Sequence, residues 1–181
     1  MIPKITNENT LITNFFNTLV IQSQLSQDHV LNVNSPTGID LSKLLLDNIY
    51  VSYLRTNSVI LFEFLRNSDN NNMSYTKEND DINKYTSYKV HIIIYGNTSS
   101  ELANKLKPRL LSGKVIDDLY NKGIYIKEIG EIETINEFIN NKYWNRNDFD
   151  IYLACRYEYT QVSVENKTSE NDKFEINTNN I

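Results

Sequence analysis

Hydrophobic and polar residues alternate along this chain with two different periods. Over residues 9–25, "NTLITNFFNTLVIQSQL", Leu11, Phe15 and Leu19 recur every four positions, with Ile12 and Phe16 beside them. One apolar stripe at that spacing predicts an amphipathic helix. Near the other end, Phe149, Ile151, Leu153, Cys155, Tyr157 and Tyr159 alternate with Asp150, Tyr152, Ala154, Arg156, Glu158 and Thr160. Period two over that length predicts a long strand with one buried face and one mostly wet face. Two further segments, "SVILFEFLR" (58–66) and "YTSYKVHIIIY" (85–95), are rich in β-branched and aromatic residues and read as strands. They are expected to pair antiparallel. Between them "NSDNNNMSYTKENDDINK" (67–84) offers almost nothing to bury and reads as a long loop or arm at the hairpin tip.

The remaining elements are shorter. "NSPTG" (34–38) is turn chemistry, and residues 39–54 suit a short helix running into a strand. Gly96 marks a tight strand-to-helix turn, followed by "TSSE" (98–101), which matches a capping box in which a cap hydroxyl and a reaching Glu satisfy free amides. Leu102, Leu106 and Leu110, with Ala103, form the buried stripe of the next helix, and Pro108 is expected to kink or divide it. "KVIDDLYNKG" predicts a short helix ended by Gly123, and "IYIKEI" a short strand. Residues 130–147 fit neither period, and residues 165–181 are polar and aperiodic. The expected organisation is one α+β domain over residues 1–164, carrying the 67–84 arm, with a polar tail over 165–181.

Composition adds exclusions. The apolar fraction of 40%, with 12 Tyr and 7 Phe, supports a sizeable core in 181 residues. A formal charge of −5 and the lack of a basic run argue against free binding to DNA or to an anionic membrane. One cysteine, Cys155, allows no intrachain disulfide and suits a reducing compartment. No apolar segment follows a basic start at the N-terminus, and no apolar run is long enough to span a bilayer, so a soluble, intracellular protein is expected.

Candidate chemistry is sparse. A phosphate cradle needs several amides aimed at one anion and usually more than one glycine. "YGNTSSEL" has one glycine and places Glu101 where the anion would sit. His29 and His91 lack a second ligand at metal spacing. Cys155 on the apolar face of the last strand reads as packing rather than as a nucleophile. The neighbours Asp80 and Asp81, and Asp117 and Asp118, point apart as solvated charge. Asp148 and Asp150 share a strand face and would bind a cation only if other carboxylates converged there. No cofactor, metal or catalytic residue is therefore expected. Candidates for contact with other proteins are Met73 and Tyr75, the only apolar anchors in the arm, and Tyr143 and Trp144 at the entry to the last strand.

The order of these elements carries a resemblance. "YKVHIIIYGNTSSELANKLKPRLLS", then "VIDDLYNKGIYI", then "KYWNRNDFDIYLACRYEY" with Arg146 after the aromatics, resembles the tail-terminator, or neck-terminator, proteins of tailed bacteriophages over roughly residues 58–162. The resemblance implies a mainly antiparallel sheet with helices packed on one face, to which the residues themselves add a long β-hairpin arm. It implies a non-enzymatic virion protein at the neck, assembled in the host cytoplasm into a homohexameric ring. The implied partners are copies of itself, the tail tube protein, the head–tail connector or stopper and, in tails that have one, the sheath. DNA would pass through the lumen without specific binding. The 67–84 arm and the polar tail depart from the family pattern. Two other classes fit the residues alone: a small binding or adaptor module, and a metal-dependent nuclease using Asp148 and Asp150.

Overall fold

The computed structural model describes residues 7–33, 47–66, 74–78 and 81–157. Seven strands form one sheet: β1 (Val30–Asn32), β2 (Ser58–Arg66), β3 (Ser74–Glu78), β4 (Asp81–Gly96), β5 (Ile124–Ile129), β6 (Glu133–Ile139) and β7 (Lys142–Tyr157). The helices are α1 (Glu8–Ser23), α2 (Asn48–Leu54), α3 (Ser99–Leu110) and α4 (Gly113–Asn121). The main sheet order is β1-β2-β4-β7-β5, with β3 added to β4 and β6 to β7. β1 runs parallel to β2 and every other pairing is antiparallel. The α+β class and the β2–β4 pairing are as the sequence predicts.

The two faces of the sheet are covered differently. Ile60, Phe62 and Phe64 of β2, Val90, Ile92 and Ile94 of β4, and Phe149, Ile151 and Leu153 of β7 point to one face. Leu11, Phe15 and Leu19 of α1, Ala103, Leu106 and Leu110 of α3, and Val115 and Leu119 of α4 close over them. The opposite face carries a smaller cluster at one end. There Val51 and Leu54 of α2 pack on Val59, Leu61, Tyr95 and Trp144. Among the described residues three helices thus share the main face, and α2 alone caps the other. This explains why "VILF" in β2 does not alternate: at this point the strand is buried on both sides.

Local details depart from the sequence reading in three places. Thr98 holds the N-cap position of α3, but its hydroxyl bonds the Ser58 hydroxyl at 2.7 Å, and Glu101 pairs with Lys105. The helix start is tied to the sheet instead of to itself. Asn147 completes that anchor: its amide donates to the Ser99 hydroxyl (2.8 Å), and its carbonyl oxygen accepts from Thr134 (2.9 Å). Pro108 does not divide α3, which runs on to Leu110. Pro108 lies within the last turn, where few residues remain to be disrupted. Within 67–84, expected as loop, residues 74–78 are β3 and β4 begins at Asp81, paired from Ser74↔Tyr85 to Glu78↔Asp81. The arm is thus a β-hairpin extension, as expected from its place between two paired strands, with part of it forming a ladder of its own. The turn expected at 34–38 and the polar tail at 165–181 lie outside the described residues.

Candidate functional site

Residues 130–147, unassigned from the sequence, carry an exposed hairpin tip. β6 turns into β7 through Asn140 and Asn141, whose φ values are 53° and 60°. Positive φ at both central residues is the two-residue hairpin turn that matches strand twist, and asparagine tolerates it better than most residues. β4 pairs with β7 only as far as Arg146, so Lys142–Asn145 and their β6 partners extend past the end of β4. On this tip Phe138 and Tyr143 face each other with ring centroids 4.8 Å apart, at 58% and 77% exposure. Trp144 points to the other side. It is buried against α2 and donates its indole N–H to the Ile139 carbonyl (3.4 Å).

Behind the tip an ion-pair network runs across the sheet face that the main helices leave open. Arg146 places its guanidinium against both oxygens of Asp148 (Nε at 2.8 and 2.9 Å) and also reaches Glu137 (3.1 Å). The Tyr95 hydroxyl donates to Glu137, and Arg146 lies 5.7 Å above the Tyr95 ring. His91 sits between two carboxylates, with Nε2 3.4 Å from Asp148 and Nδ1 2.8 Å from Asp150. Lys89 closes the far end on Asp150 at 2.7 Å. The register His91↔Asp150 and Tyr95↔Arg146 brings these side chains together.

Charge in this network is balanced in place. Contact with Asp148, and then with Asp150, raises the pKa of His91 above its ordinary value despite partial burial. Burial works against charge on Asp148, but His91 and Arg146 outweigh it and hold its pKa low. Asp150 is likewise lowered, burial being outweighed by Lys89 and His91. Asp148 and Asp150 do share a face as expected, but Asp148 is buried, not wet, because Arg146 and His91 close over it. Each nitrogen of His91 is committed to a different carboxylate, so the three side chains do not converge on one point. Among the described residues no group of three or more His, Cys, Asp or Glu is placed to hold a metal ion.

The sign of the pH dependence follows. Only the doubly protonated imidazole can donate to both carboxylates. A histidine whose folded pKa is raised contributes stability in full below its unfolded value of about 6.5. That contribution is lost as pH rises through the folded value. The depressed aspartates contribute above about pH 4 and lose it on acidification. The wild-type chain is therefore expected to lose stability above about pH 6.5, measured as urea midpoints across neutral pH. His91→Gln should flatten that slope, and an unchanged slope in the variant would remove His91 as its source.

The other singled-out residues are placed as follows. His29 ends a 3-10 turn over Gln27–His29, bonds Ser26 at 2.6 Å and stacks flat on Tyr53 at 3.8 Å. Cys155 is fully buried, and burial pushes its thiol up to about 12, the reverse of what a nucleophile needs. Asp118 pairs with Lys122 on the exposed side of α4. Met73 lies outside the described residues, and Tyr75 belongs to β3. Phe138 was not singled out from the sequence, although "FINNKY" sets an aromatic at equal distance on either side of an Asn pair.

The strand, glycine turn, helix, helix and long last strand stand in the order on which the resemblance rests, and a family model tests it. The model described as phage neck terminator protein matches residues 50–178. This chain belongs to the phage neck terminator family. The match spans most of α2 and every element from β2 to β7, so the exposed hairpin and the ion-pair network both lie inside it. No curated protein matches the chain. Membership makes it a structural protein of the phage neck that works with other tail and head proteins. No helix among the described residues is long and apolar enough to cross a membrane.

Proposed function

We propose that this neck terminator closes into a ring, of six copies as the resemblance implies, that ends the tail tube and joins it to the connector. The reading rests chiefly on the exposed Phe138–Tyr143 pair. Two aromatic rings held on a rigid two-residue hairpin, ahead of the helix-covered sheet, suit a contact that is completed by another molecule. A closed ring requires two different surfaces on each subunit, one fitting the other. The tip supplies the first, supported from behind by Trp144 and by the Arg146 network. The β3–β4 arm, with Tyr75 on β3 and Met73 preceding it, is a second candidate contact.

In this reading residues 1–164 act as one subunit body and 165–181 as an extension, assembled in the host cytoplasm. Tube and stopper meet opposite sides of the ring, the sheath where a tail has one, and DNA passes through an acidic lumen without specific contacts. Catalysis has no part in it: the acid pair that a nuclease would use is neutralised by Arg146, His91 and Lys89.

The test is a double variant, Phe138→Ser with Tyr143→Ser. Both side chains are largely exposed, so the unfolding free energy should change by no more than about 0.5 kcal/mol for each. Incorporation into necks, measured by the copies retained on purified tails, should fall at least tenfold. A folded double variant that incorporates normally would move the contact elsewhere.

A further inference from the structure

The tip also has an open edge. β6 pairs with Lys142–Asn145 on one side, but β4 reaches only Arg146, so among the described residues this stretch has no strand on its other side. The turn sets the alternation: Ile139↔Lys142 is the bonded pair that closes it, so the next residue, Tyr143, directs its N–H and C=O away from β6. They face a cleft of about 350 Å³ lined by Leu54, Arg55, Gly96, Asn97, Trp144 and Asn145. The cleft lies where β4 would have continued had Gly96 not turned the chain into α3. Its wall carries Arg55, exposed and with no ion pair among the described residues.

We propose that this slot accepts one extended peptide strand carrying an acidic side chain, added to the Tyr143 edge of β7, with the carboxylate taken by Arg55. The observations complement one another. An unpaired strand edge is satisfied by another backbone, which gives affinity without sequence demand. A free guanidinium beside it selects a carboxylate. The proposal rests on the assembly reading only for the presence of a partner protein. It concerns the backbone edge, not the aromatic pair.

The test uses the full chain and two short capped peptides of alternating threonine and valine, one with a central aspartate and one with lysine in its place. Amide chemical shifts report the site. The aspartate peptide should produce saturable shifts centred on Tyr143, and the lysine peptide should bind at least tenfold more weakly. Tyr143→Pro removes the outward N–H and should abolish binding, while Tyr143→Ala keeps the backbone and should retain it. Arg55→Glu should reverse the preference between the peptides and does so without touching the turn, so it decides the matter should the proline variant misfold. No saturable shift with either peptide, or equal binding by both, would overturn the slot. Because the readout is peptide binding by the free chain, its failure is distinct from failure of the ring, which is read on tails.

Discussion

Gly96→Ala is expected to destabilise the folded chain by roughly 2–4 kcal/mol, the strain of a forbidden backbone plus a backbone clash. Gly96 has φ of +121°, a region that side-chain-bearing residues rarely enter. A Cβ there would lie 2.1 Å from the Asn57 carbonyl oxygen and 3.0 Å from the Ser58 Cα. Both are backbone atoms and cannot rotate away. They are also held from both sides: Gly96 pairs with Ser58 at the end of the β2–β4 ladder, and the Asn97 amide donates to the Leu54 carbonyl at 2.9 Å. Relief would require β2 to move from β4 or α2 to lift from its cluster. Gly113 is the internal control, since a Cβ there meets nothing within 4 Å. Gly113→Ala should be neutral or stabilising by up to about 1 kcal/mol. For a chain of this size each kcal/mol moves the melting temperature by about 2–4 °C, so thermal unfolding separates the two variants. Equal melting temperatures would mean that the turn yields.

Phe62→Ala is expected to cost roughly 3–5 kcal/mol. Phe62 is fully buried at the centre of the main core, with ring centroids 6.5 Å from Phe15, 6.2 Å from Phe16 and 6.1 Å from Phe64. Removing the ring takes away the surface on which α1 docks, and these neighbours, fixed to a strand and a helix, can close the void only in part. Leu65, on the opposite face of the same strand and 38% exposed, provides the contrast: Leu65→Ala should cost less than about 1 kcal/mol. Urea midpoints measure both. Similar losses would mean that the two faces of β2 are assigned wrongly.

The elements legible in the sequence are those whose side chains pack. Leu11, Phe15 and Leu19 announced α1, and Phe149 to Cys155 announced β7, because burial imposes a period on them. Gly96 was legible as a turn, since only glycine suits it. The hairpin at 133–146 was not legible, because its exposure leaves alternation without an apolar face; its turn was written as Asn140–Asn141, a weaker mark than Asn–Gly. β3 was missed because "SYTKE" has no apolar alternation to read. The capping box failed because Ser58 and Lys105, both outside the motif, compete for Thr98 and Glu101. The ion-pair network could not be read from spacing. Its members come from three strands, and the β4–β7 register alone places His91 between Asp148 and Asp150. Family membership, by contrast, was readable from the order of elements, since that order survives where individual contacts do not.

The central claim is that this neck terminator stops the tail tube and carries it to the connector. Tail length in particles assembled without the chain tests it most directly. Electron micrographs of a phage lacking the chain should show overlong tails of uneven length, unattached to heads, with normal tails restored by supplying the wild-type chain. Uniform tails of normal length joined to filled heads, in particles shown to lack the chain, would contradict it.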